Sequence, residues 1–322
     1  MSKPSDQKSN SEDKPSGTYV LMTAAHNEDA FIEETIQSVL AQTLLPKRWV
    51  IASDNSTDRT NKIVETYARQ HDFIRFLPIS RPPGRSFGAK VVALHKVSKL
   101  LHGVEYDFIG NLDGDITLEP SYFEQLLDHF HRNPRFGLVG GFVYEDAGGG
   151  YRSRRINDVR NVAHAAQLVR RECYEAIGGY AILKYGGEDW YAQITAKIKG
   201  WEVEALPQLK IFHHRHTGAS SHPLKNAFRL GRLDYSFGSD PIFEVMKCLR
   251  RVCDWPYFLI TLGRLAGFIW PYLTGEQREV PDELGAFLRR EQRQRLTSMF
   301  MRPSRARSIP LTGHSTGGGT QS

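Results

Sequence analysis

Short apolar runs alternate with amphipathic stretches over the first two-thirds of the chain. Residues 18–23 (TYVLMT), 48–53 (RWVIAS), 73–77 (FIRFL), 106–112 (YDFIGNL) and 138–143 (LVGGFV) read as strands. Between them, residues 30–42 place Phe31, Ile32, Ile36, Val39 and Leu40 on one helical face. Residues 63–69, 88–101 and 121–131 continue as helices, the last opened by Pro120. This β-α-β-α rhythm predicts an α/β fold, a mostly parallel sheet with helices on both faces. Beyond residue 221 the pattern becomes helical throughout, over 223–233, 242–252, 257–270 and 283–299.

In open parallel sheets, ligands bind beyond the carboxyl ends of the strands. Three such ends are polar and acidic: His26-Asn27-Glu28, Ser53-Asp54-Asn55 and Asp113-Gly114-Asp115. Asp113 and Asp115 are spaced i, i+2, so an extended backbone turns both to one side. Gly114 between them leaves room for a ligand to approach the backbone. Two carboxylates at close range repel unless a cation joins them. A hard divalent ion, Mg2+ or Mn2+, answers that need and shares its shell with phosphate oxygens. Asp54 has two readings. Asp54, Ser56 or Asp58 caps the next helix, or Asp54 accepts an N–H of a nucleobase.

Composition adds bounds. At 322 residues, 40% hydrophobic and 24% charged, the chain has ample material for a globular core. Cys173, Cys248 and Cys253 form no CxxC pair and read as reduced, buried thiols of a cytoplasmic protein. Residues 1–17 are polar, with no apolar signal segment, and read as a disordered lead; the Ser/Thr/Gly-rich residues 302–322 read as a disordered tail.

The net charge of +6 is unevenly spread. Residues 1–209 hold 25 Lys and Arg against 27 Asp and Glu, whereas residues 210–322 hold 17 against 9. The basic third implies an anionic partner. No nucleic-acid-binding signature is present, so nucleic acid is not expected. The apolar run 255–274 is broken by Pro256, Arg264 and Pro271. A charge at a bilayer centre costs at least ~2.5 kcal/mol, which argues against a span. Two readings stay open for this run: an interfacial helix touching an anionic membrane from the cytoplasmic side, or a buried helix of a C-terminal subdomain.

The order TAAHNE, SVLAQT, RWVIASDNSTDRT, FGAK and NLDGD resembles the nucleotide-sugar half of a family 2 glycosyltransferase of the GT-A fold. The resemblance runs over residues 18–216 and leaves 217–301 as a basic, mostly helical region. The chain departs from the family pattern in two places. Thr23 or Ala24 stands where proline is usual, and Ser53-Asp54-Asn55-Ser56 stands where D-D-G-S is usual. The resemblance implies an inverting, metal-dependent transferase using a UDP-type sugar, in surface or exopolysaccharide synthesis, with a saccharide or lipid-linked acceptor. It implies that Ala24, Ala25 and Glu28 line the nucleoside, that Asp54 meets uracil, and that Lys90 belongs to the donor site. It also implies Asp113 on the ribose or metal side, Asp115 as direct metal ligand, and Asp189 as catalytic base.

Gly186-Gly187-Glu188-Asp189 opens the helical run YAQITAKIKGW. Its carboxylates lie in the positive field of a helix N-terminus. They serve either as simple capping chemistry or, with Glu188 at the donor and Asp189 at the acceptor, as part of the site. Trp190 reads as a core aromatic or as a sugar-stacking platform. In IFHHRH, one histidine and Arg215 read as metal and diphosphate contacts, with His214 chosen among His213, His214 and His216. Zinc is disfavoured, because no cysteine is near and no HExxH occurs. Residues 145–155 (EDAGGGYRSRR) read as a flexible loop, either a lid or plain surface. Two other readings were weighed: a silent nucleotide-sugar-binding protein and a sugar nucleotidylyltransferase. The second lacks a glycine-rich basic motif after the first strand. A dinucleotide oxidoreductase would need GxGxxG there.

Overall fold

The computed structural model describes residues 17–81, 88–215, 222–250 and 258–301. Its first strands are β1 (Tyr19–Ala25), β2 (Arg48–Asp54), β3 (Ile74–Ile79) and β4 (Phe108–Leu112), joined by helices α1 (Ile32–Leu40), α2 (Thr60–Gln70) and α3 (Ala89–Leu100). These four strands are parallel in the order β3-β2-β1-β4. The chain moves outward from β1 to β2 and β3, then returns to the other side of β1. The crevice between β1 and β4 is therefore a topological switch point.

The remaining sheet is mixed. It comprises β5 (Ile116–Leu118), β6 (Phe136–Asp146), β7 (Tyr151–Ser153), β8 (Ala166–Arg170) and β9 (Glu202–His213). Strand β8 runs antiparallel to β4 and β6, β6 is parallel to β9, and β5 is antiparallel to β9. The sheet is thus less parallel than the sequence rhythm predicts. Strands β5, β7 and β8 are three to five residues long, too short to give a period. Helix α5 (Arg171–Ile177) follows β8 without a break and was likewise not predicted.

Alternation along the central strands feeds two cores. Tyr19, Leu21, Trp49 and Ile51 face α1, α2 and α4 (Tyr122–Arg132). Val20, Met22, Val50 and Ala52 face α3, α5 and α6 (Glu188–Ile198). This is the period-two pattern of a strand buried on both faces. Thr23, one of the two residues that stand where proline was expected, is fully buried. It donates its hydroxyl to the Leu112 carbonyl (2.7 Å) and accepts the Trp49 indole N–H (2.9 Å), so it ties β1 to β2 and β4.

Four further helices complete the fold: α7 (Pro223–Ser236), α8 (Pro241–Leu249), α9 (Phe258–Thr274) and α10 (Asp282–Met301). They pack onto the sheet region through a shared core of Leu183, Ile194, Phe237, Val280, Leu284 and Leu288. Helices α7 and α9 touch backbone to backbone. A methyl on Gly231 would overlap the Arg264 carbonyl, and one on Gly267 would overlap that of Phe228. The expected disordered segments 1–17 and 302–322 lie outside the described residues, apart from Gly17.

Candidate active site

Strand ends β1, β2 and β4, the start of α6 and the end of β9 bring together most of the residues singled out from sequence. Lys90, one residue into α3, holds Asp113 with its Nζ 2.6 Å from Oδ1. Asn111 donates to the same oxygen at 3.1 Å. Burial disfavours the Lys90 charge, but Asp113, and then Glu188 and Asp189 nearby, raise its pKa. Asp113 is in contact with this cation, and Glu188 and Asp189 act on it electrostatically.

Glu28 and Asp115 form the other half. Burial first, then the charge on Asp115, pushes the Glu28 carboxyl up to about 8, although Arg215 opposes this. Arg215 reaches Glu28 with Nη2 2.7 Å from Oε2, and its Nε is 4.0 Å from Asp115. Gly114 does not serve ligand approach as its position suggested. It is buried, and the space a Cβ would take abuts Ile32 and Glu28. Its carbonyl accepts the Thr35 hydroxyl at 3.0 Å. A Cβ here would require Ile32 and Glu28 to give by a few tenths of an ångström, so the glycine eases the approach of α1 to the Asp113–Asp115 turn.

The histidine assignment changes. His213, not His214, faces Asp115, with Nε2 3.2 Å from Oδ2, and its buried Nδ1 makes no hydrogen bond. His214 is committed elsewhere. Its Nε2 lies 3.0 Å from the Thr117 hydroxyl, its Nδ1 lies 2.8 Å from the Tyr151 hydroxyl, and its ring stacks on Phe31. His213 ends β9, and His214 lies just past it with its ring turned to Thr117, Tyr151 and Phe31. His216 lies outside the described residues. Among the described residues no three His, Cys, Asp or Glu side chains form a ready-made metal cage. Asp115 and His213 supply two donors for a divalent ion, and such ions complete their shell with substrate phosphates and water.

At β2 the structure separates two roles that sequence left joined. Asp58 accepts the Thr60 and Asp29 backbone N–H groups, each at 3.0 Å, and so opens α2. Asp54 is free of that task. Both of its oxygens lie within 2.9 Å of Arg81 Nε, and its carbonyl lies 2.6 Å from His26 Nδ1. Asn55 explains the missing family glycine. Its φ is +59°, a left-handed conformation that Asn tolerates better than most side chains. Ala24 and Ala25 end β1 beside this crevice, Ala25 fully buried and Ala24 partly so.

Gly186 and Gly187 take φ of +83° and +92° before α6, which only glycine adopts readily. Gly187 also lies against Leu233 and Phe237 of α7. Burial penalises an ionised Glu188. That effect is outweighed by His164, whose Nδ1 is 3.6 Å away, and by Lys90, so its pKa falls to about 2. Asp189 moves the other way, raised by burial and by the Glu188 charge. One carboxylate is kept ionised and its neighbour made more basic, the division that sets base assignments. Trp190 stacks on Phe237 at 4.4 Å and 11°, within the core shared by α6, α7 and α10. That ring face is closed to a sugar.

Sequence reasoning missed two residues here. His164 is buried ahead of β8, with neither ring nitrogen hydrogen-bonded; its signal was hidden because β8 itself was too short to predict. Arg81 lies just past β3, where the strand-end rule applied to β1, β2 and β4 would have found it. Residues 145–155 are not a free loop but a β6–β7 hairpin. Its Glu145 pairs with Arg154 at 2.5 Å and lies 3.9 Å from His213.

The sequence profile of glycosyl transferase family 2 matches residues 21–186, half of the chain, and the protein belongs to this family. The poly-β-1,6-N-acetyl-D-glucosamine synthase of Staphylococcus epidermidis is 24% identical over 121 residues, 38% of this chain. That match covers 27% of the relative, so the chain spans about a quarter of the curated relatives it matches. Two solved structures share the fold. The mannosyltransferase PcManGT of Pyrobaculum calidifontis, in complex with GDP-Man and Mn2+, superposes with a TM-score of 0.51 at 14% identity, over 87% of this chain and 81% of that one. S. aureus TarS in complex with UDP-GlcNAc gives 0.51 at 14% identity, over 84% and 78%. The fold is therefore GT-A with added C-terminal helices.

Proposed function

We propose that the protein moves a sugar, with inversion, from a nucleoside-diphosphate donor of the UDP type to a hydroxyl of a saccharide or lipid-linked acceptor. The setting is surface or exopolysaccharide synthesis, and Mg2+ or Mn2+ is required. The observation that carries this reading is the set of strand-end contacts Lys90–Asp113, Arg215–Glu28 and His213–Asp115, with Glu188 and Asp189 acting on the same Lys90 cation. The reading is supported by the nucleotide sugars bound to the similarly folded PcManGT (GDP-Man, with Mn2+) and TarS (UDP-GlcNAc), and by the polysaccharide synthase of S. epidermidis that part of the chain resembles.

In this reading Asp54, held by Arg81, accepts a nucleobase N–H. Asp115 and His213 would hold the divalent ion, which when bound neutralises charge on the departing diphosphate. Asp189 accepts the proton of the acceptor hydroxyl. The acceptor oxygen bonds to the anomeric carbon as the bond to the diphosphate oxygen breaks, and that oxygen keeps the electron pair. Lys90 and Arg215 face the developing negative charge. A basic carboxylate beside an ionised one has a catalytic use and no binding use, which favours an enzyme over a silent binding protein.

The test is donor binding and hydrolysis across a panel of nucleotide sugars, with Mn2+ and with chelator. We expect one uridine donor to bind and turn over only with the metal. No binding of any nucleotide sugar under either condition rejects the reading.

A further inference from the structure

Helices α8 and α9 present an outward apolar face. Ten of the eighteen large hydrophobic side chains exposed among the described residues lie on these two helices. On α9 the exposed positions Leu259, Leu262, Ala266, Ile269 and Leu273 recur at spacings of three and four, a single stripe along the helix. On α8, Ile242, Val245 and Leu249 repeat the same spacing. The 17-residue α9 is about 25 Å long. No helix among the described residues is long and apolar enough to cross a membrane.

The charges on these helices are sorted by side. Arg264, the lone charge on α9, turns inward to Asp234 (2.5 Å) and Glu244 (2.9 Å). Glu244, the lone acid on α8, is fully buried. No acid is left on the outer face. Exposed Arg250 directly follows α8; Arg278, after α9, and Arg290, on α10, are exposed too, as are Asp282 and Glu283 at the start of α10. Trp270 and Tyr272, each about half exposed, lie near the end of the stripe.

We propose that α8 and α9 form a surface-binding face that lies in the headgroup region of an anionic lipid bilayer, with the helix axes along the membrane plane. An apolar stripe bordered by cations and aromatic rings is the pattern of interfacial helices. A second copy of the chain is the poorer fit. A seam between protein helices is bordered by charged residues that set the pairing, and α9 offers none on its outer side. Two copies meeting here would also bring two basic regions together. The contact does not depend on the glycosyl-transfer reading. The two meet at α7, which packs on α9 through Gly231 and Gly267 and touches Gly187 beside Asp189 through Leu233 and Phe237. The acceptor side of the candidate base is thereby one helix away from the lipid.

The test is flotation of the full-length protein with vesicles of phosphatidylcholine alone or mixed equally with phosphatidylglycerol. We expect retention on the anionic vesicles only, falling with added salt. The double variant Leu262→Glu and Ile269→Glu should bind roughly tenfold more weakly or less, with an unchanged thermal melt and unchanged donor binding. Absence of flotation, equal flotation on both vesicle types, or equal flotation of the variant each overturns the proposal. So does a dimer in solution that the double variant dissociates while neither protein floats, because a second copy then covers the face.

Discussion

Two clusters of buried or half-buried charge in this protein differ in their balance. In the helical region, Asp234 and Glu244 meet Lys247 and Arg264 two against two. The four contacts span 2.5 to 2.9 Å. In the candidate site, the five acids Glu28, Asp113, Asp115, Glu188 and Asp189 are met by Lys90 and Arg215, with Arg229 also acting on Glu188, among the described residues. A balanced cluster satisfies itself and holds helices together. An acid surplus stores repulsion, visible in the raised pKa values of Glu28 and Asp189, and such a surplus suits a cationic cofactor and a proton acceptor. The difference teaches that buried charge alone does not mark a site; uncompensated charge does.

The largest expected effect separates the clusters outright. Asp189→Asn should lower transfer by about 10³- to 10⁴-fold in a single-turnover assay while donor binding persists. Because burial raises this carboxyl, its ionisation disfavours the folded state, so the same variant should melt slightly higher near neutral pH. Near-normal turnover would end the assignment of the base. In the balanced cluster, Asp234→Ala should behave oppositely. It leaves Lys247 and Arg264 with one acid between them and should cost about 3–5 kcal/mol in urea unfolding, with donor affinity per folded molecule unchanged.

A pH series sharpens the contrast. Glu28 has a folded-state pKa of about 8 against an ordinary 4.5. The folded protein therefore binds the extra proton between these values. Its stabilising contribution is full below 4.5 and is lost as pH rises through 8. In metal-free protein, melting temperature should decline over this window by the equivalent of up to about 5 kcal/mol, and Glu28→Gln should flatten the decline. Asp234, which its two cations hold low despite burial, should contribute no such decline. The smallest effect is thermal. Mn2+ at a hundredfold excess over its dissociation constant should stabilise the protein by about 2.7 kcal/mol. Asp115→Asn should remove most of that gain, and Asp234→Asn none of it.

Much of the site was legible because strand ends are. A parallel sheet buries its strands on both faces, so β1, β2 and β4 stand out as apolar runs, and the polar residues just beyond them fall at one edge. Asp54, Asp113 and Asp115 were found in this way, and Glu188 with Asp189 by their glycine pair. Choices between adjacent residues were not legible. His213 is the last residue of β9, in register with Ile116 and Glu145, whereas His214 lies just past the strand, and only the position of the strand end separates their partners. Which of Asp54 and Asp58 accepts the backbone N–H groups at the start of α2 is decided by where that helix begins: Asp58 does, and Asp54 holds Arg81 instead.

The sequence by itself determined the α/β alternation, the acidic strand ends and the helical, basic final third, because periodicity and local charge are written residue by residue. Only the tertiary structure decided that Arg264 turns inward while its neighbours stay outside, that Lys90 joins Asp113 to the α6 carboxylates, and that His164 stands behind Glu188. Each of these depends on residues separated by tens of positions meeting across a packed interface, and no local pattern carries that information.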